Sequence, residues 1–239
     1  MIPYDSPCEE SVYRSEMAKM HKLSPKLDVI RRLRAEMAGL QTDSGYVPDV
    51  KGEQREWLIL HLSAQIFALA LELTDDLAAV CKSYMDAVRE KDTNVIERIA
   101  KFGHGEGHEF YKEASSNAQY AADALGLDAS DPNAKEWARI NFERIHEARK
   151  LWWKWYTGYK HAQYATPVAL TRTDTSEKKW GLYLIQKTAE KPEAGKVHTR
   201  DLFIDTVMYS DEFIKMAELC VSLWSQTVSA QLPKVFKIP

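Results

Sequence analysis

Apolar residues recur at spacings of three and four along most of the chain, and the period drops to two only over a stretch near the C-terminal quarter. Ser24-Pro25 opens a helical pattern carried by Leu27, Ile30, Leu33, Met37 and Leu40, followed by a turn-rich stretch from Thr42 to Gly52. The longest pattern runs from Glu53 to Lys91. Trp57, Leu60, Ala64, Phe67, Leu71, Thr74, Ala78, Cys81, Met85 and Val88 form one stripe, and Leu58, Leu62, Ile66, Leu69, Leu73, Leu77, Val80 and Tyr84 form its neighbour. So wide an apolar girth predicts a central bundle helix, with Thr74-Asp75-Asp76 as the one place where it could break and re-cap. Thr93 is placed to cap a short helix holding Ile96, Ile99 and Phe102. A helix from His108 to Leu125 then ends at Gly126, a residue suited to the left-handed C-terminal cap.

Asp131-Pro132 begins the next helix, a side-chain acceptor followed by a proline whose missing N–H costs nothing in the first turn. That helix meets no stop before Thr166-Pro167. Trp137, Ile140, Ala148, Leu151 and Trp155 lie along one side. Ala138, Phe142, Ile145, Trp152, Tyr156 and Tyr159 lie along another, so the helix is expected to pack on more than one neighbour. Beyond Pro167 alternation predicts strands at Val168–Arg172, Trp180–Ile185 and Leu202–Met208, and Ser210-Asp211-Glu212 starts a last helix facing inward through Phe213, Met216, Leu219 or Cys220, Leu223 and Val228. The predicted fold is mainly α: a bundle of five to seven helices with a small antiparallel β element before the last one. It is read as one domain over 1–239, with a β insertion at 166–209 and an irregular arm at 1–8.

Composition narrows the class without choosing a function. The chain has 239 residues, 45% of them hydrophobic and 28% charged, ordinary for a globular protein, and a formal net charge of −3. No global field draws it to nucleic acid or to an anionic membrane, so such binding needs a local patch. Cys8, Cys81 and Cys220 are widely spaced and fit reduced thiols. The N-terminus lacks the basic and apolar regions of a secretion signal. The stretch Trp57–Leu73, interrupted by His61, Gln65 and Glu72, is read as too short and polar to span a bilayer. The expectation is a cytoplasmic protein with no membrane partner and no cofactor.

The chemically unusual segment is the end of the Asp131 helix, where Arg149, Lys150, Lys154 and Lys160 are interleaved with Trp152, Trp153, Trp155, Tyr156 and Tyr159, and His161 follows. Basic groups among flat rings offer phosphate contacts and base stacking, and a histidine beside a lysine is a candidate acid or base. The same pattern also describes an aromatic core with lysine stems laid over it. A cation, six residues and a histidine late in a bundle helix, Lys154 and His161 here, resembles the motif of the HEPN domain (the higher eukaryote and prokaryote nucleotide-binding helical bundle), with lysine where that family has arginine. Many members of that family are metal-independent ribonucleases of toxin or antiviral systems. The resemblance implies RNA as substrate and a homodimer with two histidines across a shared cleft. Its catalytic group would be His161, Lys154 and Lys160, with Trp152, Tyr156, Tyr159 and Arg149 binding substrate. The second function class is a non-catalytic helical interaction protein in which Lys160-His161 complements a helix dipole.

Three further constellations are weighed. His104-Gly-Glu-Gly-His108-Glu109 offers imidazole and carboxylate ligands, so His104, His108 and Glu109 form an alternative metal set, but three glycines predict a flexible polar hinge with no two ligands on one helix face. Glu143-Arg-Ile-His146 is a single E-x-x-H, and a dinuclear carboxylate site needs two. Arg31, Arg32 and Arg34 read as a solvated helix face, with docking to nucleic acid or an acidic partner as the alternative. No P-loop, G-x-S-x-G or dinucleotide fingerprint is present.

Overall fold

The computed structural model describes residues 23–42, 52–160, 165–171, 178–187 and 199–236. It is mainly helical, with a small antiparallel sheet before the last helix. Seven helices are described: α1 (Leu23–Gln41), α2 (Glu53–Glu90), α3 (Val95–Lys101), α4 (His104–Ser116), α5 (Ala118–Leu125), α6 (Pro132–Lys160) and α7 (Thr206–Phe236). Strands β1 (Ala165–Thr171), β2 (Lys178–Lys187) and β3 (Thr199–Ile204) lie between α6 and α7. The arm expected at 1–8 lies outside the described residues, as does all but the last residue of Glu9 to Leu23, a stretch whose sequence is compatible with a helix. By contact the chain divides into two compact units, one of 1–28, 72–149 and 216–239, the other of 29–71 and 150–215.

The first unit is built on the second half of α2, where Leu73, Leu77, Ala78, Val80, Cys81 and Tyr84 are all buried. Phe110 and Tyr111 of α4 meet Phe142 of α6 edge-on, with ring centroids 5.3 and 6.1 Å apart. Such pairs add about 0.5–1.5 kcal/mol each beyond the area they bury. Local signals set the helix ends. Asp131 accepts from the Asn133 N–H at 2.9 Å, as its N-cap role predicts. Asn117 accepts from Tyr120 N–H at 3.0 Å and starts a fresh helix, so the predicted His108–Leu125 element is two helices instead of one. Gly126 takes φ +68° at the end of α5, and a Cβ there would lie 2.5 Å from Gln231. The same Gln231 donates to the carbonyls of Ala124 at 2.6 Å and Asp123 at 3.1 Å, and Lys234 to that of Gly126 at 3.0 Å. These are the acceptors that a helix end leaves open. Burial pushes the Cys81 thiol up to about 12, although its contact with Thr227 works against the shift, and raises Cys220 as well. Both are core residues without thiolate chemistry.

In the second unit Met37, Leu40, Ile59 and Leu62 form a buried cluster completed by Leu33, Leu58 and Val207. Phe67 meets Phe213 at 5.0 Å, and Trp152 packs on Tyr209 at 5.0 Å and Phe213 at 5.7 Å. The sheet has the order β1-β2-β3, antiparallel throughout, with Val168 opposite Gly181 and Leu182 opposite Ile204. Trp180, Leu182 and Ile204 are buried, which fixes the register because a slip of one residue would turn Leu182 outward. Gly181 is required here: a Cβ would sit 2.0 Å from the carbonyl oxygen of Ile204.

Several expectations are corrected. The third strand ends at Ile204, not Met208, because Asp205 accepts from the Met208 N–H at 2.9 Å and caps α7 four residues before the predicted start. Thr74-Asp75-Asp76 does not break α2. His104 to His108 is the first turn of α4 and not a loop. Gly103 precedes the helix and Glu106 reaches back to its N–H at 2.8 Å, half of a capping box. Trp57, Trp137 and Leu151, placed on apolar faces by periodicity, are exposed by 37%, 47% and 60%. In α6 the buried row is Ala138, Phe142, Ile145, Trp152 and Tyr156, whereas Ile140 and Ala148 of the other row are only partly covered. Trp155 of that row is buried too, so the second row is open at Trp137 and Leu151 and covered at Trp155.

Among the described helices α2 is the one long and apolar enough to cross a membrane, with a mean hydropathy of 1.5 over its most apolar window. Of that window 61% is buried inside the fold, the pattern of a core helix.

Candidate functional site

The cationic, ring-rich end of α6 is mostly structural where it is described. Trp152, Trp155 and Tyr156 are exposed by 8%, 7% and 2%. Lys154 stands exposed on the same helix. For Tyr159 and Lys160 only the helical backbone is described, and His161 lies outside the described residues. The grouping of Lys154, Lys160 and His161 as a catalytic set therefore stays an expectation.

Arg149 sits one step further in, on the first unit, and is almost fully buried. Its guanidinium lies 2.9 Å from Asp75 Oδ1, donates to the Thr74 hydroxyl and stacks over the Tyr111 ring at 5.0 Å. Tyr111 in turn donates to the Thr74 carbonyl at 2.6 Å, and burial holds its phenol well above the usual range. The α4 backbone closes on this group at Gly107, where a Cβ would lie 2.9 Å from Asp75 Oδ1 and 3.5 Å from Arg149 Nη2. Half a turn along α2, Lys26 of α1 bridges Asp76 at 2.6 Å and Glu72 at 3.2 Å. Burial opposes the ammonium, but hydrogen bonding and charge from Asp76 and then Glu72 outweigh it, and the Lys26 pKa is raised. At Asp76 burial dominates and raises the carboxyl above its ordinary range despite Lys26.

Sequence reasoning missed this polar layer. Its signal was three consecutive polar residues, Thr74-Asp75-Asp76, in an otherwise apolar helix, which need partners wherever they are buried. Arg149, which the resemblance implies as a substrate-binding residue, is paired with Asp75 inside the first unit. With its positive charge engaged inside the unit, Arg149 presents little to a phosphate.

Of the alternative metal set, His108 and Glu109 are exposed on α4, and His104 is the first residue of that helix. No group of three or more His, Cys, Asp or Glu residues gathers to hold a metal among the described residues. His108 does face His146 of α6, with ring centroids 5.9 Å apart and planes tilted by 37°.

The second unit carries an open cleft of about 590 Å³ that no sequence pattern announced. Ile59, Trp180, Val207 and Met208 give it apolar surface, and Arg55, Glu56, Lys178, Lys179 and Asp205 give it charge of both signs. Trp57 meets Trp180 edge-on at 5.0 Å, and Met208 is 64% exposed. A volume in this range suits one or a few side chains or a small molecule.

Comparison with known protein families, curated proteins and solved structures gives no match to the chain.

Proposed function

We propose that the protein acts by binding another polypeptide, as a non-catalytic helical interaction protein, and that the cleft of the second unit is its docking face. The observation that carries this reading is the make-up of that cleft: exposed Met208 beside Ile59, Trp180 and Val207, with cationic and anionic side chains around them. Methionine and tryptophan supply adaptable contact area, and a rim of both signs complements a polypeptide of mixed charge. The carboxylates of Glu56 and Asp205 work against a polyanion at the same place. Burial of Trp152, Trp155 and Tyr156 and the engagement of Arg149 support the same choice, because they withdraw the rings and the guanidinium that an RNA platform would use. RNA cleavage through His161 is the competing reading, and exposed Lys154 is its support.

The test places a photo-crosslinking amino acid at Met208 and, as a control, at exposed Trp137 of the first unit, in the cells that make the protein. The expected result is a discrete polypeptide adduct from position 208 and none from 137. An adduct of twice the chain mass would identify the partner as a second copy. Crosslinking to nucleic acid, or no adduct at 208, would overturn the reading.

A further inference from the structure

We propose that the cleft of the second unit takes a second copy of this chain, an inference that rests on reading that cleft as a docking face. The first observation is shape. Met208 lines the cleft and yet is 64% exposed, so one face projects a flexible apolar side chain beside a space of about 590 Å³ with room for another. A two-fold axis matches such a face to itself: Met208 of each copy enters the cleft of the other, against Ile59, Trp180 and Val207. Asp205 accepts from the Met208 N–H at 2.9 Å and fixes that residue in the first turn of α7, so little backbone freedom is lost on docking.

The second observation is charge. Arg55, Lys178 and Lys179 line the cleft beside Glu56 and Asp205, and Lys178 is already held by Glu53 at 2.5 Å. That leaves two charges of each sign. A face of one sign repels its own copy, whereas this one does not, and a strongly acidic or basic partner would meet two like charges here. Exposed Lys179 and Glu56 form no ion pair among the described residues. An isologous contact sets Lys179 of one copy against Glu56 of the other, and symmetry makes that pair twice. The third observation is the surrounding surface. Of the six exposed large apolar side chains among the described residues, three gather here. Met208 lines the cleft, Trp57 packs edge-on against Trp180 at 5.0 Å, and Leu170 lies opposite Lys179 on the neighbouring strand. Apolar surface collected in one place and bounded by polar groups marks an association face. The formal net charge of −3 is small enough for two copies to approach.

The experiment follows the purified full-length chain by sedimentation equilibrium from low to high micromolar concentration. The average mass is expected to rise from that of one chain towards twice that, with a midpoint on the order of 10 µM, since a contact of this size gives a weak interface. Met208→Glu, with folding checked by circular dichroism, should weaken association by about tenfold or more. Lys179→Glu and Glu56→Lys should each weaken it by a similar factor, because like charges then meet across the axis. Mixing those two variants should restore association, because opposite charges meet again at both places, a rescue that a fault in folding would not give. A chain that stays monomeric throughout, or a dimer that the three variants leave unchanged, would overturn the proposal. A purified chain that stays monomeric while position 208 crosslinks to a different polypeptide in cells would overturn it and leave the docking reading intact.

Discussion

Arg149→Met is expected to cost about 3–5 kcal/mol of stability, because it leaves the Asp75 carboxylate inside the first unit without the cation that faces it at 2.9 Å. Both groups are well covered, the side chains being 4% and 18% exposed, so solvent does little to replace the lost partner. The Thr74 hydroxyl loses its donor in the same step, and Tyr111 loses the guanidinium over its ring. Urea unfolding followed by far-ultraviolet circular dichroism reads the effect. The double variant Arg149→Met with Asp75→Leu should recover much of the loss, since replacing both members of a buried pair by apolar side chains is often neutral or better. Arg149→Lys should recover little, for an ammonium cannot reach Asp75 and Thr74 through one planar fork. A single variant as stable as wild type would mean that Arg149 is not held as described.

The second large effect is expected at Trp152. Trp152→Ala removes a ring that packs on Tyr209 and Phe213 at 5.0 and 5.7 Å, and emptying such a site costs about 3–5 kcal/mol. Trp137→Ala on the same helix should stay within about 0.5 kcal/mol, because that ring is 47% exposed. The contrast between two tryptophans of α6 separates core from surface without reference to any ligand. Equal effects at the two positions would contradict the burial of Trp152 and the exposure of Trp137.

Much of the architecture was legible from periodicity and caps. The stripes of α2, the Asp131-Pro132 start of α6, Gly126 after α5 and the alternation through Trp180 and Leu182 all carry local physics that survives in the folded chain. The failures have local causes too. Gly103, Gly105 and Gly107 suggested a loop, but Gly107 is needed for close approach to Asp75 and Arg149, and a helix accommodates glycine at a modest cost. The start of α7 was missed because Leu202 to Met208 reads as a strand, while Asp205 accepting from the Met208 N–H decides for a cap.

The candidate site was far less legible. Interleaved rings and cations between Arg149 and Lys160 look alike whether they meet a ligand or a core, and only tertiary partners such as Asp75, Tyr209 and Phe213 distinguish the two. Periodicity also cannot say which of two apolar stripes is covered, hence the exposed Trp57, Trp137 and Leu151. The cleft joins residues from α1, α2, β2 and α7 that lie far apart in the chain, and no local pattern could announce it.

The most direct measurement incubates purified wild-type protein and the His161→Ala variant with structured and single-stranded RNA at low salt, and follows cleavage on gels over hours. A binding protein that works through the second unit leaves both RNAs intact with either chain. Cleavage by the wild type that disappears in His161→Ala would contradict it and establish the end of α6 as a catalytic centre.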